Sequence, residues 1–384
     1  MANPKNAPRC GVCENKQVKN GKTSAGRTRW RCKQCGSSQV QSRVDVTRKA
    51  EFDLFLVWLL GKASQSEIGS SGRTFRRSIT WCWRVKPVVI QTGEIHRQIM
   101  LDGTYFNGWC VLVAYTGMHV VDWQWCDKES VASWGALLDR MTPPDITIVD
   151  GNKALLSVLA DKWPKTKVQR CLFHLRQGAH RHLTRRPNLP ASQELLALFR
   201  ALSTITDLDQ AATWMGLYAS WESKWSSYLK QRSYPSKKNP RPSYVRTSQK
   251  WWYTHIRLRR ARGLIATVVK SEHLFTWLTQ AQPDEKIART TSPLEGGINA
   301  GIKDLLRTHR GLSDDHARRA VDWYLYTHTK DHTPPKDLVH PHHWQEPLKP
   351  RSQPSPEQIG PKVYDTAFSD EEGIGIRKGW GGRF

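Results

Sequence analysis

Three carboxylates and four cysteines are the residues whose types and spacing point to chemistry. Asp102 follows the apolar run Ile99-Met100-Leu101, and Asp150 follows Ile146-Thr147-Ile148-Val149. Each is followed by a glycine, Gly103 or Gly151, which lets the backbone turn or a substrate approach closely. Ligands collect at strand ends in open α/β sheets, so carboxylates leaving two adjacent strands can share a metal. Hard Mg²⁺ prefers oxygen ligands, and two ions about 3.5–4 Å apart can clamp both oxygens of an in-line phosphoryl displacement. For either residue alone, an ordinary Asp-Gly turn is the competing explanation. Glu295 is the candidate third carboxylate, within Thr290-Thr291-Ser292-Pro293-Leu294-Glu295-Gly296-Gly297-Ile298-Asn299. Thr291 or Ser292 can cap a helix and Pro293 suits its first position, which puts Glu295 in the first turn. The helix dipole alone also favours an acid there. Asp122, Asp127, Asp145 and Glu272 lie in turns or helix-like runs and lack a comparable approach.

The cysteines form two pairs, Cys10-x2-Cys13 and Cys32-x2-Cys35, with 18 residues between them. Each pair can make a knuckle presenting two thiolates, and tetrahedral zinc takes four. Four thiolates leave no open coordination position, so such a zinc is structural. Disulfides would suit an oxidising compartment, but the polar start Met1-Ala2-Asn3-Pro4-Lys5 carries no secretory signal. Lys19-Asn20-Gly21-Lys22 reads as a hairpin turn and Arg27–Cys32 as a strand, the pattern of a zinc ribbon.

These groups need elements to hold them. Ala50–Lys62 predicts a helix, with Phe52, Phe55, Leu56 and Leu59 on one face. A short helix at Ser64–Ile68, a Gly-containing turn and a basic helix over Thr74–Trp83 fit a helix-turn-helix module, with Arg73, Arg76 and Arg77 facing DNA. A small helical linker is the alternative. From His96 the pattern becomes strands: Gln98–Tyr105, Trp109–Thr116 and His119–Cys126. Then come a helix (Glu129–Arg140), a strand (Ile146–Val149), a helix (Asn152–Trp163) and a strand (Lys167–Cys171). This is an α/β order in which the first and fourth strands can lie side by side. Residues 187–288 read as largely helical, with Leu195, Leu196, Phe199 and Leu202 in one stripe and Trp214, Trp221 and Trp225 following. Ser313 caps a further helix carrying Ala317, Ala320, Val321 and Tyr324. From Asp331 onward, eight prolines and scattered charge indicate an extended tail.

Charge sharpens the picture. The net formal charge is +25, which makes nucleic acid the first candidate partner and an anionic membrane the second. No apolar stretch approaches the roughly twenty residues of a transmembrane helix, so a soluble cytoplasmic protein is expected. Residues 1–49 carry twelve Lys/Arg and two acids, and residues 223–262 carry twelve Lys/Arg and no acid. Residues 98–163 reverse the sign, with eight acids and four bases. The acid-free stretch interleaves Lys250, Arg257, Arg259 and Arg260 with Trp251 and Trp252, a mixture suited to phosphates and stacked bases. A solvated helix face with core aromatics is the competing explanation.

Taken in order, Leu101-Asp102-Gly103-Thr104, Val149-Asp150-Gly151, Cys171-x2-His174, Arg289–Asn299 and His309-Arg310-Gly311-Leu312-Ser313 resemble the signatures of Mutator-like DDE transposases, in particular bacterial insertion-sequence members. They span roughly residues 98–328. The resemblance implies an RNase H-like core binding two Mg²⁺ (or Mn²⁺) through Asp102, Asp150 and Glu295, with His174 near the active site. It also implies a helical insertion before the glutamate. Taken without the family, Cys171 and His174 read as core and surface residues. The chain departs from the family at Ser292, where many relatives carry Asn. The expected organisation is a zinc ribbon (1–48), a helix-turn-helix region (49–95), a core in two parts (96–186 and 289–330) flanking a basic, aromatic insertion (187–288), and a tail (331–384). The function expected is Mg²⁺-dependent cleavage and strand transfer at terminal inverted repeats, by a homodimer or larger assembly associated with the nucleoid. A DNA-binding regulator with an inactive core, or a nuclease that joins no strands, fits the same residues.

Overall fold

A computed structural model gives the fold and describes residues 7–345, apart from 25–26, 41–43, 69–70 and 107. The chain divides into two compact units. One runs to Ile90 and resumes at Ile302, and the other is Gln91–Gly301.

The first unit begins with an antiparallel sheet of β1 (Gln17–Lys22), β2 (Thr28–Cys32) and β3 (Ser38–Val40), in that order. The turn expected at Lys19–Lys22 lies inside β1 instead. Register slips between Lys19 and Lys22, and Gly21 has φ +78°, the left-handed value that a bulge glycine adopts. The Asn-Gly pair therefore serves a bulge. The chain reverses after it, where the Thr23 amide donates to Arg27 O at 2.8 Å. Helix α1 (Val44–Leu60) starts ahead of the expected Ala50, and its predicted face of Phe52, Phe55, Leu56 and Leu59 is buried. Next come α2 (Gln65–Ile68) and α3 (Gly72–Ser78), the latter capped by Ser71 Oγ, which accepts from the Thr74 amide at 3.2 Å. The helix expected over Thr74–Trp83 ends at Ser78 and gives way to a 3₁₀ turn, Thr80–Arg84. Ile79, Trp81, Cys82 and Val85 are all buried, a set spread wider than one α-helical face.

The second unit is built on a five-stranded mixed sheet. Its elements are β4 (Gln98–Phe106), β5 (Trp109–Tyr115), β6 (Val120–Cys126), α4 (Val131–Leu138), β7 (Ile146–Val149), α5 (Lys153–Lys162) and β8 (Lys167–Arg170). The strand order is β6-β5-β4-β7-β8. The β4–β5 and β5–β6 pairs are antiparallel, whereas β4–β7 and β7–β8 are parallel. The expected adjacency of the first and fourth strands is thus realised, with Leu101 opposite Val149. Ile99, Leu101 and Val149 face a core with Trp134, Leu137, Leu155 and Val158. Because side chains alternate along a strand, Asp102 points to the opposite face from that core.

Helix α6 (Leu172–Leu183) leads into α7 (Pro190–Ala201) and α8 (Leu208–Leu229). Then follow a short antiparallel pair, β9 (Arg232–Ser233) and β10 (Trp252–Tyr253), and helices α9 (Ile256–Lys270) and α10 (Thr276–Thr279). Their shared core contains Leu195, Leu196, Phe199, Leu202, Trp214 and Trp221, with Trp225 packed at its edge.

A π-helical turn, Leu294–Asn299, runs into α11 (Ala300–Thr308). The last helices are α12 (Asp314–Thr327) and α13 (His342–Gln345). Ser313 caps α12 by accepting from the His316 amide. Trp323 of α12 meets Phe52 of α1 edge-on at 5.3 Å, so this helix packs in the first unit, not in a second part of the core. His309 does the same: its Nε2 donates to Leu59 O at 2.8 Å. The tail expected from Asp331 is ordered as far as Gln345, because Val339 is buried and Trp344 packs on Trp81 at 5.6 Å. Positions 346–384 of that tail lie outside the described residues. Among the described residues no helix is long and apolar enough to cross a membrane.

Candidate active site and zinc cluster

Asp102 and Asp150 each stand one residue beyond the paired Leu101 and Val149, so two neighbouring parallel strands deliver them together. Asn299 Nδ2 donates to Asp102 Oδ2 at 2.8 Å. Asp150 Oδ1 accepts from the Asn152 amide at 2.9 Å, which fixes the carboxylate in the turn before α5. Glu295 Oε1 accepts from Thr291 Oγ1 at 2.5 Å. Thr291 therefore spends its hydroxyl on Glu295 and does not cap the helix, while Ser292 is exposed. Burial, then the charges of Asp150 and Glu295, push the Asp102 carboxyl well above the usual carboxylate range. A carboxylate pressed by two others, all three offering oxygen, fits a hard divalent cation.

Cys171 and His174 join this site. The Sγ of Cys171 lies 3.3 Å from both the amide nitrogen and Oγ1 of Thr291. His174 Nδ1 is 3.8 Å from Glu295 Oε1. Burial alone would lower the His174 imidazole, but Cys171, Asp150 and Glu295 raise it to about 9. Burial opposes ionisation of Cys171, yet His174 and Thr291 bring its thiol below the ordinary value.

Several residues here went unassigned in the sequence. Arg170 is buried, and its Nη2 donates to Asp150 O at 2.9 Å. Gly151 has φ +106°, and a Cβ there would run into the Arg170 guanidinium. Glu129 lies on the other face of the sheet: a Cβ on Gly103 would sit 2.6 Å from its Oε1, and its Oε2 accepts from Asn152 Nδ2 at 3.0 Å. Asn299 stood in the quoted motif without a role. A cleft of about 220 Å³ opens beside Asp150, walled by Arg170, His174, Gln177, Arg181 and Leu264. Two of the rival acids are engaged elsewhere, Asp122 with Arg140 at 2.7 Å and Asp145 with Arg97 at 3.1 Å.

The four sulfurs of Cys10, Cys13, Cys32 and Cys35 lie within 4.8 Å of one another. Two similar turns bring them there: the Glu14 amide donates to Cys10 O at 2.9 Å and the Gly36 amide to Cys32 O at 3.0 Å. The Cys10–Cys35 and Cys13–Cys32 contacts are 3.4 Å. That is far beyond a disulfide bond of about 2.05 Å, and close to the ~3.8 Å edge of a tetrahedron with Zn–S bonds of ~2.3 Å. The Val12 amide holds the Cys10 thiol down to about 6. For Cys35, the Ser37 amide acts downward but the neighbouring cysteines push it up to about 12. Four thiolates cannot coexist without a cation, and the cluster fits structural zinc.

Arg73, Arg76 and Arg77 are exposed on α3. In the insertion, Lys250, Arg257 and Arg260 are exposed, but Trp252 is 6% exposed and cannot stack on a base. The β9–β10 pairing turns its ring inward. Trp251 is covered by Arg232, whose guanidinium lies 4.0 Å from the ring centre, and Arg259 sits 3.5 Å from that of Tyr253. Tyr234 and Tyr244, each 58% exposed, are the open aromatic faces of this region.

Residues 114–235 match the family described as Transposase, Mutator family. The match supports a Mutator-like transposase. The matched Mutator-family segment contains Asp150, Cys171 and His174, whereas Asp102 and Glu295 lie outside it and rest on geometry. No curated protein matches the chain.

Proposed function

We propose that this chain is a DDE transposase whose Asp102, Asp150 and Glu295 act from an RNase H-like core on the ends of a mobile element. The observation that carries this reading is the pair of aspartates, one within β4 and one just after β7, set at the same level of adjacent parallel strands beside Glu295, in a chain with a Mutator-family segment. Asp102, Asp150 and Glu295 would hold two Mg²⁺, or Mn²⁺, which when bound polarise the attacking oxygen and offset charge on the phosphate. Asn299 orients the Asp102 carboxylate, the Asn152 amide that of Asp150, and Thr291 that of Glu295. While no cation occupies its ring nitrogen, His174, raised to about 9, faces the same site and would favour a phosphate there. The sheet order, antiparallel on one side of β4 and parallel on the other, supports the RNase H-like assignment. The zinc-binding hairpin and α2–α3, acting as a helix-turn-helix through Arg73, Arg76 and Arg77, would recognise terminal inverted repeats. Lys250, Arg257, Arg259 and Arg260 would grip the backbone, and Trp251 its border. Two ends must be joined, so a dimer or larger assembly is the working form, acting in the cytoplasm on the nucleoid.

Incubating the protein with end DNA of the flanking element and Mg²⁺, and mapping nicked and joined products, tests this reading. The expected result is cleavage at the repeat ends followed by joining, both lost in Asp150→Asn and Glu295→Gln. Binding without cutting in Mg²⁺ or Mn²⁺ would make the chain a regulator. Cutting without joining would make it a nuclease.

A further inference from the structure

We infer that Cys171, His174 and Glu295 form a second cation site, selective for a borderline-soft divalent ion such as Zn²⁺, which shares Glu295 with the carboxylate triad. A thiol sulfur, a ring nitrogen and a carboxylate oxygen from these residues all lie within 4.8 Å of one another. Their spacing is that of a ligand set: Cys171 precedes the first turn of α6 and His174 sits within it, one turn apart on the same side. His174 Nδ1 is buried, has no hydrogen-bond partner among the described residues, and faces Glu295 Oε1 at 3.8 Å. An unsatisfied buried ring nitrogen is costly, and a metal satisfies it. The Thr291 amide, 3.3 Å from Cys171 Sγ, supports a thiolate as such amides do around zinc-bound sulfur. One sulfur, one nitrogen and one oxygen leave the fourth tetrahedral position open. Thiolate and imidazole discriminate against Mg²⁺, so the two sites prefer different ions.

Sharing has a consequence. An ion held by Cys171 and His174 draws the Glu295 carboxylate toward itself and away from Asp102 and Asp150, so zinc opposes magnesium. This consequence rests on the proposed triad, but the site itself does not.

Cobalt titration of the full-length protein, with its Cys10–Cys35 cluster already filled with zinc, provides the test. A further equivalent of Co²⁺ should bind and produce a near-ultraviolet thiolate-to-cobalt band. Cys171→Ser should abolish the band, with a circular dichroism melt confirming that the variant folds. Glu295→Gln, at a half-exposed position, should keep the band while weakening cobalt affinity at least about tenfold. No band beyond the filled cluster, or a band unchanged in Cys171→Ser, overturns the site. Micromolar Zn²⁺ should suppress Mg²⁺-dependent cleavage, and cleavage that continues unchanged with the site filled overturns the sharing of Glu295. A wild-type protein that never cuts in Mg²⁺ alone refutes the transposase reading, and the cobalt band still decides the site.

Discussion

The cysteine cluster and the proposed carboxylate site would each take a cation, and they are assembled in opposite ways. The four thiols come from two short turns 18 residues apart, each closed by its own backbone hydrogen bond. The carboxylates come from the middle of β4, the end of β7 and a π-helical turn, which are far apart in sequence and meet only once the sheet has formed. The first region has almost no core of its own, so a metal bound there would supply folding energy. The second has a large apolar core beneath it, and without metal its crowding favours the protonated form of Asp102. One cation makes a structure, whereas the other is expected to be used by one.

Removing zinc should give the largest effect. Structural zinc sites contribute about 10–16 kcal/mol of apparent binding energy, so chelation or Cys32→Ser should unfold the β1–β3 sheet. Hydrogen exchange would then show lost protection over residues 7–40 and an unchanged β4–β8 sheet. Asp150→Asn should do the reverse. Cleavage should fall at least about 10³-fold, because metal stabilisation of the transition state is worth several kcal/mol. The metal-free protein should melt at a higher temperature, because a charge pressing on Asp102 is gone. Equal melting temperatures for Asp150→Asn and wild type would show that the carboxylates do not repel one another as described.

Gly151→Ala should destabilise by at least about 2 kcal/mol in denaturant unfolding, because it forces both a left-handed φ and a collision with buried Arg170. Gly103→Ala should cost about 1 kcal/mol, since the tip of Glu129 can yield. In a Glu129→Ala background that cost should fall within about 0.5 kcal/mol of zero, the non-additivity expected of touching residues.

The smallest effect concerns acid. Arg97 and the Gln282 amide hold the Glu285 carboxyl down to about 2, below its unfolded value near ~4.3. A depressed carboxyl adds stability that is present above the unfolded value and is lost as pH falls toward the folded one. Glu285→Gln should therefore flatten the stability profile between about pH 4.3 and 2 relative to wild type. The half-exposed geometry of the pair keeps the change small.

The proposed site was legible in the sequence where local pattern alone determined position. Apolar runs ending in Asp-Gly located Asp102 and Asp150, and their strands formed with the expected pairing. The cysteine spacing located the cluster, because both knuckles are local. Glu129 and Arg170 were not legible, since nothing near them in the chain tells of Gly103, Asn152 or the Asp150 carbonyl. Asn20-Gly21 misled because a bulge and a hairpin turn ask for the same glycine conformation. Trp252 misled because only the β9–β10 pairing shows which neighbouring tryptophan points inward. Arg73, Arg76 and Arg77 stayed on the surface as expected, but the buried residues after Ser78 ended their helix early.

The turn that carries Glu295 is wider than an α-helix: Leu294–Asn299 is π-helical, and its Gly296 and Gly297 have open space where side chains would be. A single widened turn is equivalent to one surplus residue in an otherwise regular helix. Deleting one of those glycines should heal the helix and rotate everything beyond it by about 100° relative to Glu295. Asn299 would then swing away from Asp102 while helix content stayed the same. A loss of one codon, silent to any measure of secondary structure, would uncouple the first carboxylate from the third.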